Sequence, residues 1–99
     1  MYPVQFTQTA RSELIDAQDW YEGEARGLGR RFRQAVDDAA ERLSDNPLQF
    51  PVVYKNVRRA LLRRFPYSLF YIIEDKADTV LVIACFHASR HPSHWQRRA

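Results

Sequence analysis

The sequence predicts a small α+β domain in which two helices cover one face of a small, mainly antiparallel sheet. A β-rich segment comes first, two segments with helical periodicity follow, and the second half changes to strand-like runs. Of the 99 residues 45% are hydrophobic, which is enough to build one core. We therefore expect a single domain over residues 1–99 with the order β-α-α-β-β-β, its two helices forming an αα-hairpin.

The first half of the chain predicts one strand and two helices. The strand covers Tyr2 to Phe6, and Thr7 or Thr9 can cap the first helix. An apolar stripe at i, i+4, i+7 and i+11 runs along that helix on Ala10, Leu14, Ala17 and Tyr21. The second stripe consists of Leu28, Phe32, Val36 or Ala35, Ala39 and Leu43. The remaining surface of the first helix carries Glu13, Asp16, Asp19 and Glu22, whereas Trp20, Tyr21 and Phe32 are expected in helix packing.

Glycine and proline indicate where the two helices end. Gly23, Gly27 and Gly29 mark the turn between them, and Asn46-Pro47 stops the second helix. A loop over residues 47–51 then leads into the second half of the chain.

Three strands are predicted after that loop. They cover Val57 to Phe65, Tyr67 to Glu74 and Val80 to Phe86. The last is a nearly continuous apolar run, which is typical of a strand covered on both faces. The segment from Pro92 to Arg98 has room for one short C-terminal helical turn.

Charge is divided unevenly between the two halves of the chain. Residues 1–54 hold six arginines and nine acidic residues, a balance of −3, whereas residues 55–99 hold nine Lys/Arg and three acidic residues, a balance of +6. Thirteen of the fifteen basic residues are arginine, which suits bidentate contacts to phosphate and carboxylate. A basic half of this kind favours a nucleic-acid or acidic-protein partner, and a merely solvated basic face is the alternative.

Several function classes are excluded by what the sequence lacks. A single cysteine, Cys85, excludes an internal disulfide and fits a reducing cytoplasm. No run approaches the ~20 apolar residues of a membrane span, so we expect a cytoplasmic protein without a membrane partner. There is no glycine-rich phosphate loop, and His87, His91 and His94 do not have the spacing of a zinc finger. No cofactor and no metal site are expected.

Basic and aromatic side chains in the second half form the candidate site. We expect a target-binding surface on Arg58, Arg59, Arg63, Arg64, Arg90, Trp95, Arg97 and Arg98. If the protein is a nuclease, His87 is the candidate acid–base, with Arg90 and Arg59 stabilising phosphate charge. The alternatives are protection of an edge strand by charge and ordinary capping hydrogen bonds of the histidine.

The chain contains five short motifs that occur together in one known protein family. They are F-T-x-x-A-x-x-E-L-x-D-A-x-x-W-Y-E (Phe6 to Glu22), G-L-G-x-x-F (Gly27 to Phe32), N-P-x-x-F-P (Asn46 to Pro51), R-R-F-P-Y-x-x-F-Y (Arg63 to Tyr71) and H-x-x-R-x-P-x-x-W (His87 to Trp95). With these motifs the chain resembles, over nearly its whole length, the RelE/ParE superfamily of toxins from bacterial type II toxin–antitoxin modules. The family fold has the same element order as the one predicted above.

The resemblance implies a growth-arresting toxin that a cognate antitoxin neutralises. In the family the antitoxin's C-terminal segment wraps the toxin, and its other end binds operator DNA, so the toxin meets DNA only indirectly. RelE-like members cleave mRNA in the ribosomal A site, whereas ParE-like members poison DNA gyrase. An apolar groove along the helical hairpin and the basic sheet edge are the expected docking surfaces for the antitoxin.

One position favours the ParE-like branch. The nuclease branch carries an arginine directly after the tyrosine of its third strand, where this chain has Ser68. Of its alternating basic residues on the second strand, Arg59 matches and Leu61 does not, and His87 and Arg90 are approximate equivalents of its last arginine. We therefore expect a gyrase inhibitor. An mRNA endonuclease and an inactive relative that serves only as antitoxin partner are the alternatives.

Overall fold

Five strands form one sheet with the spatial order β1-β5-β4-β3-β2. The computed structural model describes residues 1–99. The strands are β1 (Val4–Phe6), β2 (Val52–Tyr54), β3 (Val57–Leu61), β4 (Tyr67–Glu74) and β5 (Thr79–His87). β1 pairs parallel with β5, and the other neighbours are antiparallel. The predicted α+β class and mainly antiparallel sheet are thereby confirmed.

Two long helices form the predicted hairpin on one face of the sheet. They are α1 (Gln8–Glu24) and α2 (Leu28–Asp45), and the short α3 (Ser93–Gln96) lies near the C-terminus. The Thr7 hydroxyl caps α1 by accepting from the Ala10 amide at 3.1 Å. The predicted stripes of both helices are buried, except that Leu28 is half-buried. None of the helices combines the length and apolar character that crossing a membrane requires.

One strand was not predicted, and another was predicted too long. β2 was not predicted, because its three residues sit between Pro51 and a two-residue turn and show too little alternation to detect. The strand predicted to run to Phe65 ends at Leu61, where the chain turns and the Leu62 amide donates to the Tyr67 carbonyl at 2.9 Å. These differences add an edge strand beside β3 and place residues 63–66 in a turn.

The core has two parts, one on each side of the sheet. The larger cluster joins the helix stripes to Leu69, Tyr71 and Val82, which point toward the helices. A smaller cluster on the other face consists of Val57, Phe70, Ile83, Ala84, Phe86 and Trp95. β5 is therefore covered on both faces, as its continuous apolar sequence predicted. The second face is covered only where α3 packs on it, and the rest stays open.

Candidate functional site

The open part of the second sheet face forms a cavity of about 440 Å³, which we call the open-face cavity. Its walls come from the four neighbouring strands β2 to β5 and from the segment that follows β5. The residues that carry its chemistry are Arg59, Ser68, Phe86, His87, Arg90 and Trp95. The cavity thus combines two arginines and one imidazole with an aromatic floor.

Strand alternation explains why β3 contributes one arginine to the cavity and not two. Arg59 and Leu61 are exposed on the open face, while Ala60 between them is fully buried under the helices. Arg58 also points toward the helix side, where its Nη1 donates to the carbonyls of Leu48 at 3.2 Å and Phe50 at 2.6 Å. Its guanidinium is therefore occupied in anchoring the chain before β2.

Ser68 lies at the centre of the cavity floor. In the sheet register it sits between Leu61 on β3 and Phe86 on β5, and only 4% of its surface is exposed. The position directly after Tyr67 thus carries a small neutral hydroxyl with apolar neighbours on both sides. No cation reaches the cavity from β4.

The positive charges of the cavity lie on its rim. Arg59 is exposed on β3, and Arg90 is exposed on the segment after β5. The Arg90 guanidinium lies over the Phe86 ring, 4.3 Å from its centroid, a cation–π contact that holds the charge above the floor. Both arginines remain available to an acidic ligand.

His87 uses one ring nitrogen to shape the turn that follows β5. Its Nδ1 accepts from the Ser89 amide at 3.0 Å and lies 2.8 Å from the Ser89 hydroxyl, and its ring meets Tyr67 edge-on at 5.1 Å. These partners imply that the neutral ring carries its proton on Nε2. His91 repeats the arrangement with the Ser93 amide at 3.1 Å. Both histidines therefore make the capping hydrogen bonds that were the alternative to catalysis.

The C-terminal segment closes one side of the cavity. Trp95 is buried and stacks on Phe70 with ring centroids 4.1 Å apart, so it is a core residue and does not present a free stacking surface. Arg98 donates to both carboxylate oxygens of Glu13 and to the Ile83 carbonyl. Arg97 between them is exposed.

The predicted residues do not form one continuous basic patch. Arg59 and Arg90 line the open-face cavity, whereas Arg63 and Arg64 line a separate cleft beside α2. The guanidiniums of Arg58 and Arg98, described above, are bound within the protein. Charge density along the sequence does not reveal which carbonyls and carboxylates the fold places near each arginine.

One α1 acid and one tryptophan do not lie where the sequence predicted. Glu13 was expected on the solvent surface but is largely buried in its ion pair with Arg98, whereas Glu22 is exposed as predicted and its carboxylate accepts from the amides of Gly27 and Gly29 at 3.0–3.1 Å. Trp20 was expected in helix packing and is 59% exposed. The signal for Glu22 was the pair of glycines after it, since bare amides at a helix start attract a carboxylate.

Cys85 and the carboxylates offer little further chemistry. Burial, and to a lesser degree the Glu13 carboxylate, raises the pKa of the Cys85 thiol to about 12, so it is protonated near neutral pH and is no nucleophile. No group of three or more His, Cys, Asp or Glu side chains converges in a way that could hold a metal ion. The site therefore offers two arginine side chains that can contact an anion, an aromatic floor and one imidazole.

Comparison with known proteins identifies the family. The family model described as the ParE toxin of the type II toxin–antitoxin system, parDE, matches residues 4–92. The chain belongs to this family. It is a toxin of the RelE/ParE superfamily, as its five motifs indicated. A comparison with curated proteins gave no match.

Solved structures agree with this assignment. The chromosomal ParDE system of P. aeruginosa superposes with a TM-score of 0.74 at 18% identity, covering 90% of this chain and 98% of that one. The RelBE2 complex of Mycobacterium tuberculosis gives 0.60 at 30% identity, covering 89% and 93%. The intact E. coli RelBE complex gives 0.68 at 22% identity, covering 91% and 100%. ParDE and RelBE toxins thus share this fold.

Proposed function

We propose that this type II toxin arrests growth by binding DNA gyrase through the open-face cavity and its rim, and that it does not cleave RNA. The observation that carries the proposal is Ser68 at the centre of the cavity floor. An endonuclease of this superfamily is expected to place an arginine there to meet the charge of the transition state. Losing one such contact costs a few kcal/mol of transition-state stabilisation.

The remaining charges of the cavity suit an acidic protein surface. Arg59 and Arg90 are exposed at the rim, and the floor between them is apolar and aromatic. An interface of this kind gains affinity from the buried apolar centre and orientation from the charged rim. Arg97 extends the same surface toward the C-terminus.

A cognate antitoxin is the proposed regular partner of this toxin. The E. coli and M. tuberculosis relatives are toxin–antitoxin complexes. By analogy with them, the antitoxin's C-terminal segment binds this chain along the α1–α2 hairpin and the basic sheet edge, and operator DNA is contacted by the antitoxin. With gyrase and an antitoxin as its partners, the protein is proposed to act in the cytoplasm.

An mRNA endonuclease is the second candidate, favoured by one observation. Arg59, His87 and Arg90 all line the open-face cavity, so the three residues predicted for catalysis do share one site. The Nδ1 bonds of His87 to Ser89 argue against a mobile acid–base role. The third hypothesis is an inactive relative that serves only as antitoxin partner. Growth arrest on induction of the toxin alone would exclude it.

The two activities separate in a direct experiment. The toxin is induced alone, and DNA double-strand breaks, inhibition of gyrase supercoiling by purified toxin and cleavage of ribosome-bound mRNA are all measured. We expect growth arrest with breaks and supercoiling inhibition, and full toxicity in His87→Ala. Codon-specific mRNA cleavage without gyrase inhibition, lost in His87→Ala, would replace the proposal by the nuclease.

A further inference from the structure

A second cavity, of about 460 Å³, lies between α2 and the turn that joins β3 to β4. We call it the arginine cleft, after Arg31, Arg63 and Arg64 in its wall. It shares no lining residue with the open-face cavity. The two cavities are therefore separate surfaces.

The three arginines have no acidic partner within the protein. All three side chains are exposed, and the two ion pairs of the chain, Arg33–Asp37 and Arg98–Glu13, involve other residues. Three like charges around one concave surface repel one another, and an anion placed between them relieves this repulsion. The arrangement points to an anionic ligand.

The rest of the cleft indicates what the anion is attached to. Leu28 and Phe65 supply apolar surface, and on α2 Gln34 Nε2 donates to Asp38 Oδ1 at 2.9 Å. A volume of about 460 Å³ lies within the ~300–1,000 Å³ range of small-molecule sites and exceeds the need of a lone oxyanion. The ligand therefore has an apolar body as well as a charge.

We propose that the arginine cleft binds a nucleotide. The phosphate lies among the three arginines, since it offers more charge and more acceptor oxygens than a carboxylate and fits several guanidinium forks at once. The base or sugar covers Leu28 and Phe65, and Asp38 accepts from its amino or hydroxyl groups.

The source of the nucleotide is either a free molecule or a nucleic-acid strand, and the binding experiment distinguishes them. Purified full-length toxin is titrated with ADP, with a 12-residue single-stranded RNA and with a glutamate-rich peptide, at low and moderate salt. We expect ADP or RNA to bind at least tenfold more tightly than the peptide. RNA exceeding ADP tenfold or more identifies a strand as the ligand, and equal affinity identifies the free nucleotide.

Variants test whether the binding belongs to the cleft. Arg31→Gln and Arg64→Gln should each weaken nucleotide binding at least fivefold. The matched control is Arg30→Gln, which removes the same charge from the same helix outside the cleft and should change affinity less than twofold. Thermal unfolding confirms that each variant is folded. Equal losses in all three variants, no binding of ADP or RNA at millimolar concentration, or tighter binding of the peptide would each overturn the proposal.

Discussion

Arg98 and Glu13 form a bidentate ion pair that ties the C-terminal segment to α1, with Nη1–Oε1 and Nη2–Oε2 distances of 2.9 and 2.8 Å. The pair also completes the edge of β5. β1 ends its pairing at Val82, and beyond it the Ile83 carbonyl accepts from Arg98 while the Cys85 amide donates to Glu13. The side chains of Glu13 and Arg98 thus take the place of a neighbouring strand, because they form the hydrogen bonds that its backbone would otherwise make to this part of β5.

Substitution of Glu13 tests how much this pair stabilises the fold. Glu13→Gln keeps an oxygen for the Cys85 amide but removes the charge that Arg98 faces. The two side chains are only 16% and 26% exposed, so we expect the free energy of unfolding to fall by about 1–3 kcal/mol. Urea unfolding followed by circular dichroism measures this change.

The chain provides a matched control for that substitution. Arg33 and Asp37 form a single-contact pair at 3.3 Å with side chains 45% and 57% exposed. Asp37→Asn should therefore cost less than about 0.5 kcal/mol. Equal costs for the two substitutions would show that the Glu13 pair is an ordinary surface pair.

Gly29 is required by the close approach of the two helices. A Cβ atom built there lies 2.7 Å from the Gln18 carbonyl oxygen and 3.0 Å from Glu22 Cβ. Gly29→Ala must push α2 away from α1, and we expect it to lower the free energy of unfolding by about 1–3 kcal/mol. Thermal and urea unfolding of the variant measure the loss.

Gly23 is the control for the same exchange. It lies in α1, and a Cβ there has nothing within 4 Å. Gly23→Ala should therefore stabilise the protein by up to about 1 kcal/mol through helix propensity alone. A stabilising Gly29→Ala would refute the close-approach explanation.

The sequence predicted the helices better than it predicted the site. The stripe on Ala10, Leu14, Ala17 and Tyr21 was fully informative, because one helix face meets one core. The same logic could not place Glu13 and Arg98, since they meet across 85 positions of the chain. No periodicity encodes such a contact.

β3 shows the same limit within a single strand. Alternation correctly divided Arg58 from Arg59, but it could not tell which face the helices cover. Nor does alternation reveal the carbonyls of Leu48 and Phe50, which accept from Arg58 and lie just before the unpredicted strand β2. Alternation predicts which residues of β3 share a face. Which of the two faces is the open one follows only when the orientation of one side chain is known.

Alkaline pH should destabilise the protein because acids that burial protects resist ionisation in the folded chain, Tyr71 and Cys85 most strongly. Burial raises the pKa of Tyr71 from 10.0 to about 12 and that of Cys85 from 9.0 to about 12. The unfolded chain ionises first, so this stability is complete below about pH 9 and is lost as pH rises toward 12. We expect the free energy of unfolding to decrease over that window in urea titrations at successive pH values.

Variants assign the two parts of that decrease. Tyr71→Phe removes a hydroxyl that donates to the Pro47 carbonyl at 2.6 Å, which should cost about 1–2 kcal/mol at pH 8. Above pH 10 it should make the decline shallower by up to about 1.4 kcal/mol per pH unit. Cys85→Ala should instead flatten the curve from about pH 9. If the free energy of unfolding fell with pH as steeply in both variants as in the parent protein, the assignment to Tyr71 and Cys85 would be wrong.

Neighbouring arginines on β3 should separate stability from function. Arg58→Gln removes the guanidinium that binds the Leu48 and Phe50 carbonyls, and we expect a loss of about 1–3 kcal/mol in the free energy of unfolding. Arg59→Gln alters an exposed side chain and should change stability by less than about 0.5 kcal/mol. If the open-face cavity is the target surface, Arg59→Gln abolishes growth arrest at full stability, whereas Arg58→Gln weakens it only as far as the folded fraction falls. Induced growth curves with urea unfolding of the purified variants measure both effects. Full toxicity in a stable Arg59→Gln variant would remove the open face from the proposed mechanism.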